Sequence, residues 1–328
     1  MRRFSLFAPL LILFTLFSVP VHAQSIGSLE QLSVSINPTY PRPYQTITIS
    51  PSSTLIDLSS GIVSIKVDGK EVAKGSGAIE GTGAVGAAGT KTTVLVTAVI
   101  NGNTYTKQLI IRPADVALVI EPNSTTHPFY LGGGLVASEG KVRLVALPEF
   151  KTASGALIPA DSLVYTWRLG NRLLESSSGI GRQSISATAP VRYRDAQITV
   201  TVTTQDSSIV AESTGTVSPV DPVVRLYEND PLMGPLFDRA LAGTLVMNGA
   251  EETIRAIPYY FSAKPTITWT MNGGTAGSTQ DITVRSNGSG QGTAQIAANT
   301  TLPGAFQSAT AALSVAFGQK KFLGIFGL

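Results

Sequence analysis

Tyr165-Thr166-Trp167-Arg168-Leu169-Gly170-Asn171 is the stretch that decides the fold. Apolar residues alternate with polar ones, and a Gly-Asn dipeptide follows. Alternation marks a half-buried strand, and such dipeptides favour the positive φ of a tight hairpin. The pattern returns as Thr266-Ile267-Thr268-Trp269-Thr270-Met271-Asn272-Gly273. A weaker copy reads Ser64-Ile65-Lys66-Val67-Asp68-Gly69-Lys70. Ile65, Trp167 and Trp269 share one place, 102 residues apart at each step (167 − 65 = 269 − 167 = 102). Val67, Leu169 and Met271 share the next inward position, and Asp68-Gly69, Gly170-Asn171 and Asn272-Gly273 supply the turns. A period of about 100 residues is the size of one β-sandwich domain.

Outward from that repeat, composition agrees. The 328 residues suit two or three domains. Hydrophobic content is 43% and charged content 14%, so a packed core is expected and disorder is not. Thr, Ser, Val, Gly and Ala abound and long amphipathic helical patterns are missing, which points to all-β structure. Without Arg2 and Arg3 of the leader, 24 − 2 = 22 basic residues face 21 acidic ones. No basic stripe with interleaved aromatics is present, so a nucleic-acid partner is not expected. Cysteine is absent, which excludes disulfides, thiolate catalysis and thiolate metal sites.

Residues 1–23 read as a secretion signal. Arg2 and Arg3 precede the apolar run from Phe4 to Val19, Pro20 breaks it, and Val21-His22-Ala23 resembles a processing site. The alternative is an uncleaved anchor, because the run approaches spanning length. Residues 24–113 form the first module, 114–220 the second and 221–317 the third. Each carries a strand closed by proline before the repeat strand: Thr46 to Pro51, Val142 to Pro148 and Glu252 to Pro258. Asn101-Gly102 marks a further hairpin between Val94–Val99 and Lys107–Ile111. The Gly-rich stretch Gly75 to Gly89 reads as a flexible loop or wide hairpin, since Gly weakens strands. Pro235 to Ala242 reads as a short helix with Pro in its first turn.

This order resembles the immunoglobulin-like superfamily, and the second module resembles a PKD-type domain. Tyr165 to Asn171 is similar to that family's Trp-x-Phe-Gly-Asp-Gly strand and turn. Thr188-Ala189-Pro190 followed by Ile198-Thr199-Val200-Thr201-Val202 is similar to its closing half. Leu169, Asn171 and Arg172 depart from the motif, and the first module lacks the Trp. Leu226 to Gly234, then Pro258-Tyr259-Tyr260-Phe261, resemble uncharacterised secreted proteins of candidate-phylum bacteria. That resemblance implies a bacterial exported protein and no known activity.

Three constellations suggest chemistry. His127 is the one histidine after the leader, and no nucleophile elbow accompanies it, so a solvated turn is expected rather than a triad. Asp221, Glu228, Asp230 and Asp238 offer oxygen ligands for calcium or a carboxylate pair. No Asp-x-Asp-x-Asp-Gly loop supports the first, and solvated charges at a domain boundary are the simpler reading. Trp167 and Trp269 could stack on sugars, but a Trp on the central strand is the usual core of such a sandwich. Tyr259-Tyr260-Phe261 either exposes an aromatic or closes the end of a core. Asn123, Asn287 and Asn299 begin glycosylation sequons, read as chance matches in a bacterial Ser/Thr-rich chain.

The expectation is therefore an all-β protein of three tandem immunoglobulin-like β-sandwich modules after a signal segment. Its expected role is a non-catalytic, cofactor-free interaction or spacer protein, extracellular or on the cell surface. Carbohydrate binding is the second reading and a glycan-acting enzyme the third. The partner is expected to be a protein or the cell envelope. Residues 318–328 form a hydrophobic tail in which Phe322, Leu323, Ile325, Phe326 and Leu328 are the candidate docking residues. At this length it cannot span a bilayer. It either covers the third module or docks on a sheet edge, a groove or a membrane surface.

Overall fold

The computed structural model describes residues 31–287 and 290–318. The leader, 1–23, and the docking residues Phe322, Leu323, Ile325, Phe326 and Leu328 lie outside them. Helix among the described residues is limited to short 3-10 turns.

The first sandwich contains β1 (Ser33–Asn37), β2 (Thr46–Ser52), β3 (Gly61–Val67), β4 (Lys70–Ser76), β5 (Gly81–Ala84), β6 (Thr92–Ile100) and β7 (Asn103–Ile111). One sheet runs β1-β2-β5 and the other β4-β3-β6-β7. The inward residues of both sheets, including Ile47, Ile49, Ile65, Val94 and Val96, are fully buried between them.

The second contains β8 (Asp115–Pro122), β9 (Lys141–Glu149), β10 (Val164–Leu169), β11 (Arg172–Leu173), β12 (Gly179–Ile180), β13 (Ser184–Thr188), β14 (Ala196–Thr203) and β15 (Val210–Val217). Its sheets run β13-β9-β8 and β11-β10-β14-β15, with β12 also on β10. The third contains β16 (Val223–Asp230), β17 (Gly234–Pro235), β18 (Thr244–Val246), β19 (Glu251–Tyr259), β20 (Thr266–Met271), β21 (Gly274–Gly277), β22 (Asp281–Arg285), β23 (Gly292–Leu302) and β24 (Gln307–Phe317). Its sheets run β17-β16-β19-β22 and β18-β24-β23-β20-β21, and β18 joins β24 in parallel.

In all three, the repeat strand pairs with the penultimate strand, and a strand that follows its hairpin, β5, β13 or β22, crosses to the other sheet. That is the immunoglobulin-like order, so the chain is three tandem sandwiches of one kind. The repeat positions coincide in space as in sequence. Ile65, Trp167 and Trp269 are each fully buried at the centre of their cores.

The turns follow their dipeptides. Asp68-Gly69, Asn101-Gly102 and Asn272-Gly273 have φ near +50° and +80° at their two residues, as a type I′ turn requires. Gly170-Asn171 has positive φ only at Gly170, the type II′ pattern. The prolines sit inside their strands rather than after them. Pro51, Pro148 and Pro258 pair with Val34, Val116 and Val224, each the second residue of its module's first strand.

Two expectations fail. The Gly-rich stretch contains a true strand, β5, paired with β2. A Cβ on Gly83 would stand 2.8 Å from Val67, and one on Gly81 3.2 Å from Ile65. Glycine is there because the two sheets approach too closely for a side chain. The segment from Pro235 is not a helix. The Leu236 and Leu241 N–H groups donate to the carbonyls of Glu228 and Leu226, which tie it to β16 at both ends of a turn at Phe237-Asp238. Edge pairing and the packing of Phe237 override local helical preference.

Candidate functional site

The two tryptophans settle one question directly. Trp167 Nε1–H donates to the Arg182 carbonyl at 2.9 Å, and Trp269 Nε1–H to the Thr279 carbonyl at 2.9 Å. Each acceptor lies two residues before the strand that crosses sheets, β13 or β22. Both rings are core anchors with a satisfied polar tip, so neither offers a platform to a sugar.

The acidic residues do not converge. Asp221 accepts from Tyr193 Oη and lies 3.8 Å from Arg192. Asp230 accepts from the N–H groups of Leu232 and Met233, which hold its carboxyl below the usual range. Asp238 is exposed. Glu228 instead influences Glu252: burial first, and then this second carboxylate, raises the Glu252 pKa. Among the described residues no group of three or more His, Asp or Glu side chains is arranged to hold a metal ion.

What the chain does build is the junction of the second and third sandwiches. The loop from Asn123 to Gly134 leaves β8 and lies against the third sandwich. Thr125 donates its N–H to the Phe261 carbonyl at 2.9 Å and accepts from the Tyr260 N–H at 2.8 Å. Its Oγ1 accepts from the Phe261 N–H at 3.0 Å. A single residue thus continues the ladder along the end of β19.

Aromatic side chains close the contact. His127 is stacked face to face on Phe237, with centroids 4.0 Å apart, and meets Tyr130 and Tyr259 edge-on. Tyr130 Oη hydrogen-bonds Tyr260 Oη at 3.0 Å, and Tyr227 Oη bonds Tyr259 Oη at 2.9 Å. The Tyr130 bond and burial push the Tyr260 phenol up to about 12. Burial raises Tyr259 further still. His127 is therefore half-buried in an inter-module stack rather than solvated in a turn. The reason is long-range: Phe237 and Tyr259 come from another module.

Tyr259 and Phe261 are buried and Tyr260 half-buried, and Tyr259 and Tyr260 pack with Tyr227, Ile257, Phe237 and Tyr130 in a cluster at the junction, apart from the core around Trp269. Gln307, also buried, supplies a second tie. Its Oε1 accepts from the Ser262 N–H, and its amide donates to the Ser138 carbonyl of the second module. Nothing in the local sequence around Gln307 or Thr125 signals these roles, because their partners are 169 and 136 residues away. The first junction is tied too. Arg42 pairs with Asp115 at 3.1 Å, and Gly89 N–H donates to the Pro113 carbonyl. A Cβ at Gly89 would lie 2.5 Å from the carbonyls of Lys151 and Thr152.

Beside the second junction opens a cleft of 770 Å³. Thr126 and His127 stand on one side, Lys264 to Thr268 on another, and Ser278 to Gln280 on a third. Ile257, Pro258, Pro265 and Ile267 give it apolar walls, with hydroxyls and an amide between them. It has the size of a site for a small ligand or a short peptide.

No family model matches the chain, and no curated protein does. Among solved structures, the three N-terminal domains of the bacteriophage RB49 Highly Immunogenic Outer Capsid protein align at 13% identity and TM-score 0.25, over 88% of this chain and 98% of that one. Fibronectin(III)-like modules of Clostridium thermocellum CbhA align at 14% identity and TM-score 0.26, over 57% of this chain and 94% of that one. Immunoglobulin domains 1–4 of Sidekick-1 align at 9% identity and TM-score 0.22, over 88% and 75%. The immunoglobulin-like assignment rests on the strand order described above, not on these likenesses.

Proposed function

We propose that the chain is an exported, non-catalytic interaction and spacer protein of the cell surface. The observation that carries this reading is the second junction. Thr125, Tyr130, His127 and Gln307 bind two sandwiches together through backbone ladder bonds, stacked rings and a buried amide. A spacer needs such ties, since uncommitted tandem domains move freely. The basic–apolar–small order of residues 1–23 supports export, and cleavage before Gln24 would release the mature chain.

The test is a distance measurement across the junction. Spin labels at exposed Thr214 in the second module and exposed Thr283 in the third should give one narrow distance distribution. A broad distribution in the intact mature chain defeats the spacer reading. Carbohydrate recognition is the second reading. It is supported by the hydroxyl and amide groups of Thr126, Thr266, Thr268, Ser278 and Gln280 in the cleft. A glycan array probed with the mature protein separates it from the first.

A further inference from the structure

Two strand edges end at the cleft. β20 pairs with β23 along its whole length. On its other side β21 reaches only Trp269–Met271, so Thr266, Ile267 and Thr268 have no strand partner on that edge among the described residues. Across the cleft, β22 pairs with β19 over Glu251–Arg255. The Ala256 N–H then donates to the Gln280 carbonyl, and the Tyr260 N–H to the Thr125 carbonyl. Backbone groups alternate sides along a strand, so Pro258 faces that same edge between the two bonds, presenting a carbonyl and no N–H. The cleft is thus a gap in an otherwise continued edge, opposite a second free edge, with apolar residues between. Extended apolar peptides fill such gaps by adding a strand.

The chain carries such a peptide. Phe322-Leu323-Gly324-Ile325-Phe326-Gly327-Leu328 puts Phe322, Phe326 and Leu328 on one side of a strand and Leu323 and Ile325 on the other. It does not reach the cleft of its own chain in a bound register. Thr266 pairs with Thr301, and Thr301 with Ser308, so the cleft lies level with the start of β24. β24 then runs away from it to Phe317, which at about 3.4 Å per residue is roughly 34 Å. Phe322 lies five residues past Phe317 and returns at most about half that distance. Only Gly327 and Leu328 would arrive, with the chain fully extended.

We propose that Phe322–Leu328 of a second copy of this chain occupies the cleft, pairing with the Thr266–Thr268 edge and placing its apolar side chains against Ile257, Pro265 and Ile267. The contact is head-to-tail: each copy offers a cleft near its second junction and a peptide at the far end of its third sandwich. This rests on the reading of the chain as an interaction protein and names its partner.

The test uses the mature chain and two kinds of variant, followed by light scattering across a concentration series. One variant lacks residues 322–328 and keeps the cleft. The other, Thr268→Trp, fills the cleft and keeps the peptide; Ser278→Arg, on another part of the lining, repeats the block should Trp disturb folding. The mature chain is expected to associate, and each variant to associate at least about tenfold more weakly. A mixture of the two should restore a dimer, because each supplies what the other lacks. A labelled peptide of residues 320–328 should bind the truncated chain and not its Thr268→Trp form. A mature chain that stays monomeric, a truncated chain that associates like the parent, or a peptide that binds equally with the cleft blocked overturns the proposal. So does a cleft that captures a glycan and not the peptide. The label distance across the junction does not depend on the tail, so failure of the spacer reading registers separately.

Discussion

Trp167 and Trp269 each pack the centre of a sandwich and each feed an indole N–H to a carbonyl just before the crossing strand. Trp269→Ala is expected to cost about 3–5 kcal/mol, enough to unfold one module. Trp269→Phe keeps most of the volume but leaves the Thr279 carbonyl without its donor, about 1–3 kcal/mol. Thermal melts read both, and a Phe variant melting like the parent would show that bond to be dispensable. Gly83→Val should destabilise the first sandwich by about 1–3 kcal/mol, since its Cβ meets Val67. Glu252 gives a pH signature. Burial raises its folded pKa above the unfolded value, so the folded state holds the extra proton. Stability from this group is present at low pH and lost as pH rises through the window between the two values. Glu252→Gln should therefore melt higher than the parent at pH 7 and alike near pH 3, where the carboxyl is neutral in both states. Equal melting temperatures at both pH values would remove the argument.

At the scale of elements, the loop from Asn123 to Gly134 does more than connect strands. It extends the β19 ladder by one residue and carries His127 and Tyr130 into the stack with Phe237 and Tyr259. Gln307→Ala removes the acceptor for the Ser262 N–H and the donor for the Ser138 carbonyl, a half-buried and a buried bond at once. We expect it to broaden the label distance across the junction while each sandwich keeps its fold by circular dichroism. Thr125→Pro removes the N–H donated to Phe261 and should act in the same direction. If Gln307→Ala instead unfolds the third sandwich, the residue serves that core rather than the junction.

At the scale of the molecule, the three cores are separate. The clusters around Ile65, Trp167 and Trp269 share no residues. Each sandwich should therefore melt with its own variant: Trp167→Ala should abolish one calorimetric transition and leave the others in place, apart from losses at its junctions. A single cooperative transition lost as a whole would mean that the junctions couple the three more tightly than their contacts imply.

Sequence alone determined the periodic part of this protein. The alternation around Ile65, Trp167 and Trp269, the turn dipeptides and the recurring prolines are local patterns, and backbone geometry ties each to strand, hairpin or ladder position. Three repeats of one local order could be read as three sandwiches of one kind. The core placement of both tryptophans followed from the same periodicity. What the tertiary structure alone decided depends on contacts between distant residues. The glycines of β5 read as a loop until Val67 and Ile65 stand opposite them. The residues after Pro235 read as a helix until β16 offers an edge. His127 reads as solvated until Phe237 covers it, and Gln307 is unremarkable until Ser138 and Ser262 come within reach. The cleft is the extreme case, because it consists of missing partners: an edge that β21 does not cover and a position that β22 does not reach. Local pattern shows where strands run, and only assembled sheets show where they stop short of one another.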